Sequence, residues 1–289
     1  MKVAGTVKEL RRLIKNAGSS PVGFVPTMGA LHEGHISLVR KSISECDVTV
    51  VSIYVNPTQF NDKEDLKNYP RNIEADLSLL GKVLREKDIV FTPSDKEIYP
   101  EKDTRVFNFG NLEKVMEALH RPGHFNGVGQ VVSRLFDIVN PAIAYFGLKD
   151  FQQVAVIREL VRQKGYKIKI SGQPVIRESD GLAMSSRNKL LEPAVRKDAP
   201  VIFKTISEAV HMAKNSDIPG IKQYIKKSIE NTPPFLVEYF EIVDDEFLVP
   251  VKSKNEMLGG KRYYGCIAVK AGKIRLIDNI EFPVDESKG

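Results

Sequence analysis

Residues 22–55 read VGFVPTMGALHEGHISLVRKSISECDVTVVSIYV, and the order of the apolar runs in them indicates the fold class. Residues 22–25 are short, apolar and rich in β-branched side chains, which predicts a strand, the first along the chain. Apolar residues then recur at helical spacing between residues 36 and 43. Residues 48–55 are nearly all apolar, as is typical of a parallel strand covered on both faces. The stretch therefore predicts a β–α–β unit.

The same alternation continues to about residue 175, and it predicts a parallel sheet with helices on both faces. The further elements that we predict are a helix at about 73–87, a strand at 89–91, a helix at about 128–139, a strand at 143–146 and a helix at 151–164. Residues 1–175 are thus expected to form a Rossmann-like α/β domain with a doubly wound parallel sheet. Such a sheet binds ligands at the carboxyl ends of its strands.

The pattern changes beyond about residue 190. It predicts helices at 193–214 and 218–230, followed by strands at 236–243, 263–269 and 274–277. The last two strands flank residues 270–273, where Gly272 suits the positive φ of a hairpin turn. We therefore predict that residues 176–289 form a second, smaller α+β domain with an antiparallel sheet.

The net charge is mildly positive, and the charged residues are spread evenly along the chain. The chain has 43 Lys and Arg against 37 Asp and Glu, for a net charge of +6, and 42% of its residues are hydrophobic. That hydrophobic share is typical of a globular protein and excludes a disordered or fibrous class. Nucleic-acid binding favours a concentrated basic face, which the sequence lacks. We expect no nucleic-acid partner, and an anionic small substrate that needs only a few local positive charges.

Cys46 and Cys266 lie far apart and match neither a disulfide framework nor a zinc spacing, which favours a reducing compartment. The N-terminal residues run into a predicted surface helix at 7–14 and lack the apolar core of a signal peptide. No uncharged apolar run approaches the roughly 18 residues that span a bilayer. The sequence therefore predicts a cytoplasmic protein without a membrane partner.

The strongest chemical signal is PTMGALHEGH at residues 26–35, directly between the first strand and its helix. A helix N-terminus offers unpaired N–H groups and partial positive charge to an anion, and Gly29 and Gly34 allow close approach of the backbone. His32 and His35 would share one face if both lie in the first turn. Two imidazoles there can donate to phosphate oxygens and stabilise the charge that develops as pyrophosphate leaves.

Two other interpretations of this histidine pair stay open. The histidines can be incidental surface residues, although the chain has only five and two of them stand between glycines at a strand-to-helix turn. They can also bind zinc, which is disfavoured because no Cys or suitably spaced carboxylate accompanies them.

The histidine stretch resembles the H-x-G-H nucleotide-binding signature of class I aminoacyl-tRNA synthetases and small nucleotidyltransferases. Over residues 26–35 it is similar to the pantothenate synthetase (pantoate–β-alanine ligase) family. Further segments match that family in order: Asn56-Pro57-Thr58-Gln59-Phe60, Tyr69-Pro70-Arg71, Arg121-Pro122-Gly123-His124-Phe125, Phe146-Gly147-Leu148-Lys149-Asp150-Phe151-Gln152-Gln153 and Asp180-Gly181-Leu182-Ala183-Met184-Ser185-Ser186-Arg187-Asn188. One departure is Leu148, where many relatives carry an acidic residue; its backbone can still contact nucleotide.

Two of these segments can also be interpreted from their chemistry alone. Asn56 and Gln59 follow a strand and carry neutral donors and acceptors, which suit the hydroxyls and carboxylate of a small polar acid. An isolated Asn-Pro is otherwise most often a turn. Lys149 can bridge phosphate oxygens and Asp150 can accept from a ribose hydroxyl, but such a pair is otherwise most often a solvated loop.

The resemblance implies an ATP-dependent ligase that joins pantoate to β-alanine through a pantoyl adenylate and releases AMP and pyrophosphate. The catalytic residues that it implies are His32, His35, Lys149, Ser185, Ser186 and Arg187. The ATP-binding residues that it implies are Pro26, Met28, Gly29, Ala30, Leu31, His32, Glu33, Gly34, His35, Gly147, Leu148, Lys149, Asp150, Ile176, Met184, Ser185, Ser186 and Arg187. It assigns pantoate to Asn56, Gln59 and Gln153, β-alanine to Gln59, and Mg²⁺ to Asp76.

The resemblance also implies a homodimer and a smaller domain that closes over the ATP site, with residues 184–187 on a mobile loop. Arg121 and His124 are weaker candidates, with Arg121 either neutralising phosphate or closing the site. Two rival functions remain. One is a nucleotidyltransferase that makes a dinucleotide or phosphopantetheine product, and the other is an RNA-binding module without enzymatic activity, built on a synthetase-like fold.

Overall fold

The structure, a computed structural model, describes residues 1–18 and 21–284. The chain divides into two compact units. The first comprises Met1–Phe109, Arg121–Leu148 and Val156–Pro174. The second comprises Gly110–His120, Lys149–Ala155 and the described residues from Val175 onward. The assignment of separate functions to domains 1–175 and 176–289 stays a prediction.

The first unit contains a six-stranded parallel sheet with the strand order β1-β4-β3-β2-β5-β6. Its strands are β1 Lys2–Ala4, β2 Val22–Thr27, β3 Val48–Ile53, β4 Ile89–Phe91, β5 Ile143–Gly147 and β6 Lys169–Gln173. The predicted parallel sheet is confirmed. The strand predicted as the first is the second, because β1 precedes it at one edge. The apolar pattern misses both edge strands, since β1 reads KVA and β6 reads KISGQ, neither of them a continuous apolar run.

Helices cover both faces of this sheet. The helices up to Lys164 are α1 Val7–Asn16, α2 Glu33–Glu45, α3 Lys63–Asn68, α4 Ile73–Gly81, α5 Asp95–Ile98, α6 Glu117–His120, α7 His124–Val139 and α8 Phe151–Lys164, of which α6 and the start of α8 belong to the second unit. Adjacent side chains of a strand point to opposite faces. On β2, the Phe24 ring lies 6.3 Å from Phe136 of α7, whereas Val25 packs in a cluster with Ile36 and Val39 of α2. The predicted doubly wound arrangement is therefore confirmed.

Two helices differ in extent from the prediction. α4 ends at Gly81 instead of continuing to residue 87. Arg85 instead forms an ion pair with buried Asp88 (Nη2–Oδ1 2.9 Å), and Asp88 also accepts from the Thr49 N–H of β3 (2.9 Å). This turn is thus fixed to the sheet. α7 begins at His124 rather than at about residue 128, directly after Gly123, which has a left-handed φ of 78°.

The second unit contains α9 Pro193–Asp198, α10 Val201–Met212 and α11 Ile218–Glu230, followed by an antiparallel sheet of β7 Phe235–Asp244, β8 Tyr263–Ala271 and β9 Ile274–Phe282. The predicted antiparallel sheet is confirmed, and Gly272 has a φ of 64° in the turn between β8 and β9. The helix predicted at 193–214 is interrupted near Pro200, whose nitrogen carries no hydrogen to donate. No helix within the described residues has the length and apolar character needed to cross a membrane.

Candidate active site

Three neighbouring strands of the first unit lead into the segments that carry the chemical signals. β2 ends at Thr27, β3 ends just before Asn56, and β5 ends at Gly147. Pro26 lies within β2, opposite Ser52 of β3. Because the strands are parallel, their carboxyl ends lie at one edge of the sheet, where such folds bind ligands.

The turn between β2 and α2 adopts left-handed backbone at Gly29 (φ 78°) and Ala30 (φ 50°). Thr27 Oγ1 donates to the Ser52 carbonyl (2.7 Å) and accepts from the Gly29 N–H (3.2 Å), which fixes the start of the turn to β3. A Cβ atom on Gly29 would lie 2.9 Å from the Asp76 carboxylate. Glycine is therefore required there by both conformation and space.

Asp76 closes this turn from α4. Its side chain is 4% exposed, and its two oxygens accept from the backbone N–H groups of Ala30 (2.9 Å) and Leu31 (2.7 Å). A carboxylate that accepts backbone N–H groups forms strong, charge-assisted hydrogen bonds. Two of the donors that we expected to face a nucleotide phosphate thus contact a protein carboxylate in this structure.

His32 and His35 lie side by side at the start of α2, with ring centroids 4.2 Å apart. His32 is the N-cap residue of α2, and its Nδ1 accepts from the Gly34 N–H (3.2 Å). His35 Nδ1 accepts from the His32 N–H (3.4 Å). A neutral imidazole that accepts at Nδ1 carries its proton at Nε2. The hydrogen bonds therefore select a tautomer with an Nε2–H donor on each ring.

The zinc interpretation finds no support among the residues that the structure describes. They contain no group of three or more His, Cys, Asp or Glu side chains that can hold a metal ion. The Nδ1 atoms of His32 and His35 each accept a backbone hydrogen bond, which occupies the lone pair that a metal would need there.

Asn56 is 1% exposed, and its amide is fully engaged by protein groups. Its Oδ1 accepts from the Tyr99 hydroxyl (2.9 Å) and the Thr58 hydroxyl (3.1 Å). Its Nδ2 donates to Gln59 Oε1 (3.3 Å) and to the Gly127 carbonyl (3.2 Å). This geometry favours a positioning role for Asn56, which orients the Gln59 amide, over direct contact with a substrate.

Gln59 lies next to the histidine turn. Its Nε2 is 3.0 Å from Met28 Sδ, so the structure brings the predicted pantoate segment and the predicted ATP segment together. The loop that carries Gln59 packs closely on α7, since a Cβ atom on Gly127 would lie 2.4 Å from the Thr58 carbonyl oxygen. The Gln59 side chain therefore lies against Met28, while the loop that carries it lies against α7.

Arg121 and His124 hold the backbone of the same loop. His124 is buried, and its Nδ1 lies 2.7 Å from the Gln59 carbonyl oxygen. Arg121 lies 3.1 Å from His124 Nε2 and 3.5 Å from the same Gln59 oxygen. These contacts indicate that the two residues support the loop.

Sequence reasoning missed Tyr99, whose hydroxyl donates a hydrogen bond to the Asn56 amide oxygen. Burial raises the pKa of the Tyr99 hydroxyl, so this group stays protonated and donates to Asn56 at neutral pH. Tyr99 follows the short helix α5, whose four residues show no clear periodicity. No sequence signal distinguished this tyrosine from the other eight in the chain.

In the second unit, Lys149 and Asp150 lie in one turn of 3₁₀ helix directly before α8. Lys149 Nζ is 3.4 Å from Asp150 Oδ2, and the two side chains are 19% and 48% exposed. The neighbouring glutamines differ. Gln152 is 3% exposed and bonds to the backbone of Leu112, Val115 and Glu117, whereas Gln153 is half-buried. The assignment of Gln153 to substrate stays a prediction.

Residues 184–187, which were predicted to lie on a mobile loop, come at the end of a β-hairpin. Met184 N–H donates to the Ile176 carbonyl (2.9 Å), and Glu178 N–H donates to the Leu182 carbonyl (2.8 Å). Ser185 then caps a 3₁₀ helix, Ser186–Leu190, by accepting from the Arg187 N–H (3.3 Å). The hairpin thus gives Met184, Ser185 and Arg187 a defined backbone.

A histidine pair on a strand-to-helix turn, at the carboxyl edge of a doubly wound parallel sheet, defines a nucleotide-binding α/β enzyme of the H-x-G-H type. Within that class, the chain belongs to the pantoate-beta-alanine ligase family, whose model matches residues 2–281. The family and the fold that the motifs predicted are both confirmed.

Named relatives support this membership over the whole chain. The pantothenate synthetase of Bacteroides thetaiotaomicron is 50% identical over 284 residues, which cover 98% of this chain and 99% of that protein. The crystal structure of pantothenate synthetase from Thermus thermophilus matches with a TM-score of 0.89 at 40% identity and covers 98% of this chain and 100% of that one. The pantoate-beta-alanine ligase of Francisella tularensis, solved with beta-gamma ATP and beta-alanine, matches with a TM-score of 0.77 at 34% identity and covers 97% of both chains.

Proposed function

We propose that this chain joins pantoate to β-alanine with cleavage of ATP to AMP and pyrophosphate. Family membership over residues 2–281 is the observation that carries the proposal. The site chemistry supports it, because the turn that carries His32 and His35 also carries Met28, whose Sδ lies 3.0 Å from the Gln59 amide nitrogen. This combination suits the adenylation of a small polar acid.

The reaction follows from the chemistry of a carboxylate. A carboxylate does not acylate an amine at neutral pH, because oxide is a poor leaving group. A pantoate oxygen therefore attacks the α-phosphorus of ATP, the bond to the bridging oxygen breaks, and pyrophosphate leaves with that electron pair. The neutral amine of β-alanine then attacks the acyl carbon of the adenylate. AMP leaves with the former carboxylate oxygen, and the amine loses a proton.

The protein contributes alignment and electrostatic stabilisation in this scheme, without a covalent intermediate. The Nε2–H groups of His32 and His35 donate to phosphate oxygens, and protonation would add positive charge. Lys149, Ser185, Ser186 and Arg187 contact the triphosphate by family position. Gln59 and Gln153 hold pantoate, and Asn56 keeps the Gln59 amide in the required orientation.

Magnesium fits this site as an ion carried mainly by the substrate. Asp76 is the carboxylate at the turn, and both of its oxygens already accept backbone N–H groups. Each oxygen retains a second lone pair, so Asp76 can supply one ligand while phosphates and water supply the others. Bound there, Mg²⁺ would neutralise part of the triphosphate charge.

The direct test of adenylation follows an oxygen atom. Pantoate labelled with ¹⁸O in its carboxylate is incubated with the protein, ATP and β-alanine, and the AMP is analysed by mass spectrometry. We expect one ¹⁸O atom per AMP, because the bond from acyl carbon to oxygen breaks in the second step. Unlabelled AMP, or turnover only with a nucleotide or phosphopantetheine acceptor, would contradict the proposal. RNA binding without turnover would favour the non-enzymatic rival.

Gln59→Ala is expected to raise the KM for pantoate by roughly tenfold to a hundredfold and to leave the Kd for ATP within about threefold. The reason is that the amide is assigned to the acid, and a substrate group left without its hydrogen bond costs about 1–3 kcal/mol. Gln163→Ala, on the exposed side of α8, is the matched control. An equal weakening of ATP and pantoate in equilibrium binding would remove Gln59 from the acyl pocket.

Tyr99→Phe is expected to raise the KM for pantoate by about threefold to tenfold, because the loss of its hydroxyl frees the Asn56 amide to rotate away from Gln59. Tyr166→Phe is the control, since the Tyr166 hydroxyl also donates to a side-chain oxygen in this unit, that of Asp137 (2.7 Å), but does not contact Asn56. If the two variants shift KM equally, the chain from Tyr99 through Asn56 to Gln59 does not orient the substrate.

We also place the protein in a reducing compartment such as the cytoplasm, since Cys46 and Cys266 are both buried and unpaired. The proposed compartment follows from the cysteines alone.

By resemblance to the family we propose a homodimer. Light scattering coupled to size-exclusion chromatography tests this directly. We expect a mass of about twice the 32.4 kDa of one chain, and a mass of one chain at micromolar concentration would exclude the dimer.

A further inference from the structure

A buried ion pair joins two segments of the second unit. Arg177 and Asp278 form a bidentate pair, with Nη1–Oδ2 at 2.6 Å and Nη2–Oδ1 at 3.0 Å. The Asp278 side chain is 4% exposed and that of Arg177 is 19% exposed. A forked guanidinium pair of this kind fixes orientation as well as distance.

The arginine also organises the hairpin in which it lies. Arg177 is bridged to Ala183 across the hairpin, and its Nη1 donates to the Gly181 carbonyl (3.2 Å). Its guanidinium carbon lies 3.6 Å from the centroid of the Phe203 ring. A Cβ atom on Gly181 would lie 2.8 Å from the same ring, so the hairpin end packs tightly on Phe203. The hairpin then continues into Met184.

The other side of the cluster reaches the Lys149 turn. Asn279 follows Asp278 on β9, and its Nδ2 donates to the Lys149 carbonyl (3.2 Å). The Asn279 backbone belongs to the ion pair, because its N–H donates to Asp278 Oδ1 (2.7 Å) and its carbonyl accepts from Arg177 Nη2 (3.3 Å). One dipeptide of β9 therefore contacts the segments of both Lys149 and Arg177.

The charges agree with this arrangement. Burial raises the pKa of Asp278, while Arg177 acts in the opposite direction and favours its ionised form. Removing one partner of a buried pair leaves an uncompensated charge, which makes the pair sensitive to substitution. The arrangement of Arg177, Asp278 and Asn279 thus depends on charge as well as on shape.

We propose that Arg177, Asp278 and Asn279 form a positioning network for ATP, in which β9 holds the Lys149 turn and the hairpin leading to Met184–Arg187 in one fixed geometry. The network does not itself touch the reacting atoms. It sets the distance between Lys149 and the Ser185–Arg187 backbone, two groups that lie far apart in sequence. The inference rests on the proposed function, which assigns both groups to the triphosphate.

Asn279→Ala is the sharpest variant, because it removes the hydrogen bond to the Lys149 carbonyl and leaves the backbone contacts of the ion pair in place. We expect the Kd for ATP to rise about tenfold and adenylate formation to slow by a similar factor. Pantothenate formation from presynthesised pantoyl adenylate is expected to stay within about threefold of the original rate. Loss of stability alone would lower both half-reactions together.

Arg177→Lys is the second variant, because lysine keeps the charge and loses the fork. We expect the same selective defect in ATP use. Arg262→Lys is the control: Arg262 also forms a bidentate pair with a carboxylate of β9, Glu281 (2.8 and 2.7 Å), but this pair is exposed. If Asn279→Ala does not fold by circular dichroism, Asn279→Leu replaces it, since it keeps the approximate size and removes the donor without adding a charge.

The outcomes separate this inference from the proposed function. ATP affinity is measured at equilibrium without an acid substrate, so its loss in both network variants supports the network whichever acid is adenylated. Unchanged ATP affinity in both variants overturns the network, as do equal losses in the two half-reactions. Failure of the unmodified protein to adenylate pantoate would overturn the proposed function alone.

Discussion

Replacing His35 with alanine is expected to lower the rate of pantoyl adenylate formation by roughly 10²- to 10³-fold, the loss seen when one preorganised donor to a developing oxyanion is removed. His35 Nδ1 is engaged by the His32 N–H, which places the ring proton on Nε2. In our account this donor stabilises the charge on the phosphates while pyrophosphate departs. That demand ends once the adenylate exists.

The second half-reaction separates this role from general positioning. We expect His35→Ala to convert presynthesised pantoyl adenylate and β-alanine to pantothenate within about tenfold of the original rate. Single-turnover quench experiments measure both steps. Equal losses in the two steps would reassign His35 to positioning of the acyl group. His32→Ala should behave similarly, and His211→Ala on α10 is the control for loss of an imidazole elsewhere.

Replacing Lys149 with alanine is expected to lower kcat/KM for ATP on the order of 10²-fold or more, because no neutral neighbour replaces the ammonium at a triphosphate. The side chain is mostly buried and lies 3.4 Å from Asp150, a contact that leaves the ammonium further hydrogens to donate. Lys149→Met is the companion variant, since it keeps the apolar stem and removes only the charge.

The matched control for Lys149 is Lys222→Ala, which removes a half-buried lysine that pairs with Glu241 (2.6 Å) in the same unit. We expect that variant to retain its activity. Steady-state kinetics with ATP as the varied substrate make the measurement. Activity of Lys149→Ala within about threefold of the unmodified protein would place Lys149 outside the site.

The layers of the fold could be predicted from the sequence because buried strands and helices have recognisable apolar patterns. The central strands β2, β3, β4 and β5 are buried on both faces and read as apolar runs. The edge strands have no such pattern, so β1 and β6 were missed. α4 is followed by the turn of Arg85 and Asp88, and the tertiary hydrogen bond from the Thr49 N–H of β3 to Asp88 is not encoded by periodicity.

The candidate site was predicted by motif, but the roles of its residues depend on partners that the sequence does not reveal. The amide of Asn56 has the donors and the acceptor that a substrate would need, yet these atoms form hydrogen bonds with four protein groups. Asp76 was assigned to Mg²⁺ by family position, and its oxygens hold the turn at Ala30 and Leu31. Arg177 and Asp278 meet only because β9 lies beside the hairpin. Hydrogen-bond partners at long sequence separation require the fold.

In the proposed reaction pantoate is activated before β-alanine reacts, and a rapid-quench experiment measures this order. The protein is mixed with ATP, Mg²⁺ and pantoate, with β-alanine omitted, and pyrophosphate is measured over time. We predict a burst of about one pyrophosphate per active chain followed by little turnover, and the addition of β-alanine should then release AMP and pantothenate in equal amounts. Absence of pyrophosphate until β-alanine is added, or its release without pantoate, would contradict the account.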